Sequence, residues 1–473
     1  MKRLSHGLRC ALAAAPLVLA APALGQSPAP RAVSLREALE LASRHSPDLK
    51  AVRAQAEQVE AKAGLVYAAV LPEVNLTGSY VYTTAEAKFD VGQMIAGIIP
   101  AVGPVYGLPN PPNPAVLDQI LANSPSQTIV ARNSGYGTLQ LTQTLFTPQL
   151  LLLPSANHAR DAARAGTGEA QEQVLLGTAR LFLGIEGLAE LEKAAREAES
   201  VALRRETEAR SQLAVGMATE LALLRAQADT AQARATLATL EGQRQSLLAL
   251  LESITGEPVQ PADGATHVEF RPAPEADEPW NQVPVLRAQS SGLLAQEVVN
   301  GYDSLAWLPS LVAQGKVNFN TNKGFVGTNW TFDGIVAAQW TLFDRGVRSV
   351  TQRENLARTG QLRAQLEAAR ARARSTWLGA RAQLATAQVA LGQAESFALL
   401  AARGQRAAES AWKAGVGTSL EVSDLDSKRF LAASAAAQAR AQLEIRKVEL
   451  AAAEGRLAFT LGIPEPEEGK DRK

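Results

Sequence analysis

The segment that most resembles a chemical site is KAGVGTSLEVSDLDS, at residues 413–427. Gly415 and Gly417 stand just before a threonine and a serine, a combination that could bind phosphate. The segment lacks the Gly-Lys-Ser/Thr of a P-loop, however, and Leu420 stands where a dinucleotide-binding loop needs its third glycine. A helical pattern precedes it, and a related turn occurs around Gly216. We therefore predict a tight turn between two antiparallel helices, in which a hydroxyl side chain caps the second helix.

Two acidic side chains, Glu421 and Asp424, follow this turn three positions apart and so share one face of a helix. On their own they would be solvated acids in a first turn, where the helix dipole favours negative charge. If three copies of the chain turned this face toward a pore, the acids would form two rings that favour cations. The spacing alone favours the solvated acids, and only a trimeric pore would change this interpretation.

Nothing else in the sequence has the spacing of a catalytic or metal site. His45, His158 and His267 are isolated from one another, and there is no Ser/His/Asp or HExxH arrangement. Lys+Arg and Asp+Glu each number 47 among 473 residues, so the charge gives no reason to expect nucleic acid. We predict that the protein is not an enzyme, has no catalytic or metal-binding residues, and binds no cofactor and no nucleic acid.

The first residues have the pattern of an export signal. Lys2, Arg3 and Arg9 accompany an apolar stretch at residues 10–23 that is too short to span a membrane as a mature helix. We predict a signal peptide over residues 1–25. The only cysteine, Cys10, would leave with it, so we expect a mature protein without disulfides and without a lipid anchor on cysteine.

The rest of the chain consists of two internal repeats, and each repeat has the same order of elements. A helix ends at Leu-Pro, two strands follow, the second strand ends at Thr-Leu-Phe, and a very long helix leads through a glycine turn to a return helix. For the first repeat, residues 34–256, we predict strands at 73–84 and 136–147, a long helix at 149–213, a tip at 214–220 and a return helix at 221–253. For the second, residues 282–463, we predict strands at 310–320 and 330–343, a long helix at 345–413, a tip at 414–419 and a return helix at 420–460. A linker at 257–281 and a disordered tail at 464–473 complete the chain.

The two long helices have a coiled-coil pattern. About 65 residues rising 1.5 Å each give a helix about 100 Å long. Apolar residues recur at every seventh position, as at Val174, Leu181 and Leu188, which predicts packing between helices. A soluble coiled-coil rod would show the same pattern, so the helices alone do not distinguish a rod from a channel.

The strands favour a channel, because apolar and polar residues alternate over about ten positions with aromatic residues near the ends, as in transmembrane β-strands. The aromatic residues predicted at the membrane interfaces are Tyr80, Tyr82, Phe146, Phe319, Trp330, Trp340 and Phe343. Four strands cannot enclose a pore, and an open sheet edge is not tolerated in lipid. We therefore predict a mostly α-helical protein whose protomer contributes four strands to a shared, trimeric, twelve-stranded β-barrel.

These features resemble the TolC family of outer-membrane efflux and secretion channels, over residues 34 to about 464. The resemblance implies a homotrimer in the outer membrane of a Gram-negative-type cell, with an α-helical barrel that extends into the periplasm. It implies an inner-membrane pump and a periplasmic adaptor as partners, with outer-membrane lipid around the strands. The tip residues that would contact the adaptor are Val215, Gly216, Met217, Thr219, Gly415, Val416, Gly417 and Thr418. In this family, acids after the second turn surround the periplasmic entrance, and the matching gate and selectivity residues are Glu421 and Asp424.

One segment departs from the family pattern, since residues 85–134 separate the first two strands by an unusually long interval. We interpret it as an extended extracellular loop, either folded over the mouth or packed on the barrel or on a neighbour. Its proline and glycine content argues against a strand through residues 100–114.

The predicted function is a passive exit duct for an efflux pump or a type I secretion system. The alternatives are a periplasmic coiled-coil adaptor and a structural protein of the envelope. Adaptors usually have one helical hairpin and lack paired strands of this kind, whereas this chain has two of each.

Overall fold

A computed structural model describes residues 30–68, 71–102, 105, 113–123, 126–262, 277–323 and 327–463. The expected signal peptide and tail, and residues 263–276 of the expected linker, lie outside the described residues. The described chain is mostly helical and carries a four-stranded antiparallel sheet. Within those ranges, no helix has both the length and the apolar character needed to cross a membrane.

The two repeats follow the same order of helix, strand pair, long helix and return helix. The first contains β1 (Arg31–Val33), α1 (Leu35–His45), α2 (Pro47–Ala68), β2 (Glu73–Tyr82), β3 (Ala87–Asp90), α3 (Val91–Val102), α4 (Pro114–Asn123), β4 (Ser126–Val130), β5 (Asn133–Phe146), α5 (Leu153–Ala214), α6 (Glu220–Thr255) and β6 (Val259–Pro261). The second contains α7 (Pro284–Leu305), β7 (Ser310–Asn320), β8 (Trp330–Gln339), α8 (Val347–Lys413), α9 (Ser419–Ala453) and α10 (Leu457–Thr460).

Two boundaries near the sheet differ from the sequence predictions for local reasons. The long helix α5 begins at Leu153 rather than at residue 149, because a 3-10 turn with proline at its start occupies Pro148–Leu152. Strand β8 ends at Gln339 rather than at residue 343. The next residue, Trp340, directs its indole N–H to the backbone carbonyl of Trp307, at 2.8 Å.

The second return helix, α9, also ends early, at Ala453 rather than at residue 460. Gly455 takes a φ of 65°, and a Cβ on it would lie only 2.7 Å from the Cα of Val283. Only glycine fits both the left-handed backbone and this close approach. The chain then turns into the separate short helix α10.

The described residues between β2 and β5 contain more regular secondary structure than the predicted loop. It contains a two-stranded ribbon, β3–β4, and the helices α3 and α4. The ribbon continues the β2–β5 hairpin, since the N–H of Thr83 donates to the carbonyl of Arg132 at 2.8 Å beyond the last sheet pair. The proline and glycine content of the sequence favours a loop, whereas the apolar residues 91–102 form the helix α3.

The four-stranded sheet has the order β2-β5-β7-β8, so its centre joins the two repeats. One face carries the apolar residues of the predicted alternation, including Leu76, Leu139, Val317 and Phe332, which lie side by side across the four strands. The other face carries a row of polar residues joined by hydrogen bonds. The amide oxygen of Asn318 accepts from the hydroxyl of Thr138 at 3.1 Å, and its amide nitrogen donates to the carboxylate of Asp333 at 2.7 Å. A sheet with one apolar and one polar face separates two different environments.

The helices form two antiparallel hairpins, α5–α6 and α8–α9, of which the long arms have 62 and 67 residues. The hairpins meet where α5 packs on α9, and this approach is close because a Cβ on Gly187 would lie 2.7 Å from the Cβ of Ala441. The main core lies around α5, where Phe182, Leu175 and Val448 are completely buried together with residues of α1, α6 and α10. The parallel pair β1–β6 closes this region near the junction of the repeats.

Candidate functional site

The two hairpin tips have the same backbone geometry. Gly216 and Gly415 have φ values of 75° and 78°, and each ends its long helix in a left-handed turn. The N–H of Met217 returns to the carbonyl of Gln212 at 2.8 Å, and the N–H of Val416 makes the matching bond in the other repeat at 3.0 Å. These are the backbone hydrogen bonds of a Schellman motif, so the predicted role of the two glycines is confirmed.

Threonine caps both return helices, as the sequence predicts. The Thr219 hydroxyl accepts from the N–H of Ala222 at 3.3 Å. The Thr418 hydroxyl accepts from the N–H of Glu421 at 3.2 Å, and the Glu421 carboxylate accepts from the N–H of Thr418 at 2.9 Å. This reciprocal pair is a capping box, which fixes the direction in which the second return helix leaves the tip.

The two candidate gate acids therefore have different surroundings. The Glu421 carboxylate takes part in the capping box at the start of α9. Asp424 lies one turn further on, is exposed, and pairs with Lys428 at 2.7 Å. Such an exposed pair contributes little to stability. Of the two, Asp424 is thus the one whose charge can be changed without disturbing the turn.

A third acid, Asp426, holds the two hairpins together. One of its carboxylate oxygens pairs with the Nε of Arg205 on α5 at 3.4 Å, and the other accepts from the amide of Gln405 on α8 at 2.9 Å. Gln405 is buried, and the Asp426 side chain is only 16% exposed. We call these three residues the tip latch. It ties α5, α8 and α9 together near the tips.

Further contacts surround the tip latch. The Arg205 guanidinium lies 5.1 Å from the ring centroid of Trp412, an arrangement that favours a cation over an aromatic face. Gln405 also donates to Glu409 at 3.2 Å, and Glu409 pairs with Lys413 at 2.9 Å. The hydrogen bond from Lys413 is the main reason that the pKa of Glu409 is lowered. The charges of this cluster are therefore paired across the end of α8.

Sequence reasoning missed the tip latch. Asp426 does not share the helix face of Glu421 and Asp424, so the spacing that singles out those two acids does not include it. Arg205 lies 221 positions away in the other repeat, so no local spacing connects the two residues. A second link between the repeats, from the Ser423 hydroxyl to the Asp229 carboxylate at 3.0 Å, was missed for the same reason.

The predicted interface aromatics lie toward both ends of the sheet. Tyr80, Tyr82, Phe319 and Trp330 lie at the end distant from the long helices, and Phe146, Trp340 and Phe343 lie where the long helices begin. Phe319 and Trp330 are in contact, with ring centroids 4.8 Å apart. A further aromatic residue, Trp307, lies under the guanidinium of Arg348, which is 4.6 Å from the ring centroid. In the described part of the chain, no group of three or more His, Cys, Asp or Glu residues is placed to hold a metal ion.

Buried acids lie in the core that joins the repeats. Burial is the main reason that the pKa of Glu186 is raised to about 7, and the nearby carboxylates of Glu190 and Glu444 add to the effect. The basic residues of α9 form ion pairs with these two carboxylates and not with Glu186. Lys447 pairs with Glu444 at 2.7 Å, and Arg440 lies 3.8 Å from Glu190. One carboxylate oxygen of Glu186 is buried without a hydrogen-bond partner.

We expect Glu186→Gln to stabilise the protein, and to do so more at pH 8 than at pH 4.5. The pKa of Glu186 is about 7 in the folded chain and 4.5 as the ordinary value. Between these values the folded state keeps a proton that the unfolded state has lost, so the stability falls as the pH rises and the loss is complete above about 7. The gain at pH 8 should be roughly 1–3 kcal/mol, measured as a shift in thermal unfolding followed by circular dichroism. Glu367→Gln, at an exposed site on α8, should show no such pH-dependent difference. An equal shift at both pH values would contradict this assignment.

The architecture described above matches known proteins. Residues 38–257 match the sequence model of the family described as outer membrane efflux protein. The first repeat of the chain therefore resembles this family, which is that of TolC. The family consists of outer membrane efflux channels that extend into the periplasm, and its members are transport proteins rather than enzymes. No sequence match was found among curated proteins.

Several solved structures of outer membrane channels share the fold at low sequence identity. The CmeC outer membrane channel of Campylobacter jejuni is 15% identical, with 89% of this chain and 86% of that chain covered and a TM-score of 0.69. CusC is 14% identical, with 89% and 92% covered and a TM-score of 0.71. The open state of the MtrE outer membrane channel of Neisseria gonorrhoeae is 17% identical, with 90% and 89% covered and a TM-score of 0.66.

Proposed function

We propose that three copies of the chain form one channel, which is the passive exit duct of a tripartite efflux pump or a type I secretion system. The observation that carries this proposal is the four-stranded sheet. Both of its edge strands, β2 and β8, lack a partner on one side among the described residues. Its apolar face is open as well, with Leu76 78% and Phe332 74% exposed.

Assembly accounts for both features. An unpaired strand edge recruits another strand, and in lipid it must do so because no water is available to the backbone. The β8 edge of one copy can pair with the β2 edge of the next, and three copies give a closed sheet of twelve strands. The apolar face would then contact outer-membrane lipid, with the two aromatic groups at its borders.

The helical hairpins would continue this cylinder into the periplasm. Their arms are about 93–100 Å long at 1.5 Å per residue. At the tips Val215, Met217 and Val416 are each more than two-thirds exposed. Exposed apolar residues on a tight turn suit contact with another protein. We assign them, with the adjoining glycines and threonines, to a periplasmic adaptor that connects the channel to an inner-membrane pump.

Two measurements test this proposal together. The mass of the protein purified in mild detergent should be that of three chains, and the same sample should form ion-conducting channels in planar bilayers. A monomeric mass with no conductance would instead fit a periplasmic adaptor or a structural envelope protein. Contact with the adaptor can be tested separately. Cysteines placed at Val215 and Val416 should crosslink to a periplasmic protein in whole cells.

We expect Asp424→Asn to lower the preference of the channel for cations. Three carboxylates about 10 Å from a passing ion would each contribute about 0.4 kcal/mol in water, and screening at 0.1 M salt reduces the sum to about 0.5 kcal/mol. Removing the carboxylates weakens the attraction of a cation and the repulsion of an anion by this amount each, so the cation-to-anion permeability ratio should fall about fivefold, as measured from reversal potentials in a salt gradient.

The control is Glu220→Gln, which removes an exposed acid from the first turn after the other tip. It should leave the ratio unchanged. Glu421→Gln is less informative because it also disturbs the capping box. Unchanged selectivity in the Asp424 variant would refute the assignment of this residue to the gate.

A further inference from the structure

The ribbon β3–β4 and its helices form a projecting arm beyond the sheet. Tyr82 pairs with Asn133 at the end of the sheet, and the pairing resumes between Ala87 and Val130 in the ribbon. The register shifts between Ala87 and Lys88. Such an irregularity bends a hairpin and increases its twist. The ribbon joins the sheet to α3 and α4, and a bend at this irregularity would set the arm at an angle to the sheet.

The helix at the end of this arm is uncharged and has an exposed apolar face. Its sequence, VGQMIAGIIPAV, has Asp90 before it as the N-cap, which accepts from the N–H of Gln93 at 3.1 Å. Met94, Ile98 and Val102 lie four positions apart on one face and are 45%, 49% and 40% exposed. An apolar surface of this kind at the tip of a projecting arm requires a partner.

We propose that the partner is the same helix in the other two copies, so that three arms meet over the outer mouth as an apolar lid. This inference rests on the threefold assembly proposed above. The lid would close the end of the channel opposite the tip latch. The arm lies in residues 85–134, the segment in which the sequence departs from the family pattern.

The dimensions of the arm agree with this arrangement. Twelve strands about 4.8 Å apart and tilted by about 40° have a circumference of about 75 Å, and so a radius of about 12 Å. The four residues of β3 span about 13 Å at 3.3 Å each. An arm that bends inward from the rim therefore brings its helix to the axis, where three apolar faces can meet.

The charges favour a second copy over a lipid surface. Helices that lie on anionic membranes carry Lys or Arg beside their apolar face. Residues 85–134 contain only Lys88 and Arg132 as basic residues. Lys88 is within 3.8 Å of the Glu86 carboxylate, and α3 has no charge at all. An identical apolar face needs no charge to bind.

Cysteine crosslinking tests the lid. The only cysteine of the sequence is Cys10, so Ile98→Cys would introduce a single thiol into a chain that has lost residues 1–25. Mild oxidation of cells should convert most of this variant into disulfide-linked pairs, because a disulfide needs Cβ atoms about 4 Å apart. Gln93→Cys, on the opposite face of α3, should remain largely uncrosslinked. Oxidised Ile98→Cys channels should conduct less in planar bilayers, and a reductant should restore the conductance.

The mass in mild detergent separates the two ways in which the proposals could fail. A trimer in which Ile98→Cys crosslinks no more than Gln93→Cys would overturn the lid and leave the channel proposal intact. A trimer in which Ile98→Cys reacts only with a membrane-soluble thiol reagent would overturn the lid in favour of lipid contact. A monomer would overturn the channel proposal itself. Met94→Cys, on the same face, serves if Ile98→Cys does not assemble.

Discussion

Arg205→Ala is expected to open the periplasmic end of the channel and raise its conductance in planar bilayers. The Arg205 guanidinium joins α5 to Asp426 on α9, and it also lies against Trp412 of α8. Without it, the half-buried Asp426 carboxylate keeps only the amide of Gln405 at 2.9 Å and loses its cation. In the proposed trimer, a closed arrangement of the tips would lose this contact in each of three copies.

The size of the effect follows from the threefold repetition. If each charged contact contributes about 1 kcal/mol, three copies that open together change the open-to-closed ratio by about 3 kcal/mol, on the order of 100-fold. The matched control is Arg204→Ala, since Arg204 is the exposed neighbour of Arg205. Asp426→Ala should raise the conductance by a similar factor, and combining it with Arg205→Ala should add little. Additive effects would show that the two residues do not act through one contact.

Gly455→Ala is expected to be the most destabilising single-methyl change in the described chain, at about 2–5 kcal/mol. A φ of 65° costs an alanine about 1–2 kcal/mol. The added Cβ would also lie 2.7 Å from the Cα of Val283 and 2.9 Å from the carbonyl oxygen of Gln282. Backbone atoms cannot rotate away as a side chain can, so the chain after α9 must shift.

A second glycine separates the two causes. Gly415 has a φ of 78° but no atom within 4 Å of an added Cβ. Gly415→Ala should therefore show only the conformational cost, and thermal unfolding of the two variants should differ by the contribution of the close contact. Equal shifts would mean that the contact with Val283 has no energetic importance.

The sequence predicts the parts of this fold that depend on local chemistry. A left-handed turn admits few residues besides glycine, so Gly216 and Gly415 identify both tips, and Thr219 and Thr418 identify the caps that follow. Alternation predicts the strands to within a few residues, because a strand with one apolar face has a period of two.

The remaining features depend on pairs of residues that are distant in the chain. The end of α9 is set by the approach of Gly455 to Val283, and the tip latch by Arg205 and Asp426. Neither pair leaves a periodic signal. The helix α3 was missed for another reason, since its glycines and Pro100 resemble a loop when the tertiary setting is unknown.

The order of strands in the sheet also has a consequence for the time at which the chain can fold. β5 of the first repeat pairs with β7 of the second, and the bond between Thr138 and Asn318 spans 180 positions. The sheet therefore stays incomplete until β7, and so most of the chain, is present. Until then one edge of β5 lacks the hydrogen bonds of its partner strand. Pairings over such long sequence separations form slowly, because closing a long loop is entropically unfavourable before any contact rewards it. During this interval the first half of the chain has to be kept from pairing with other unfinished chains.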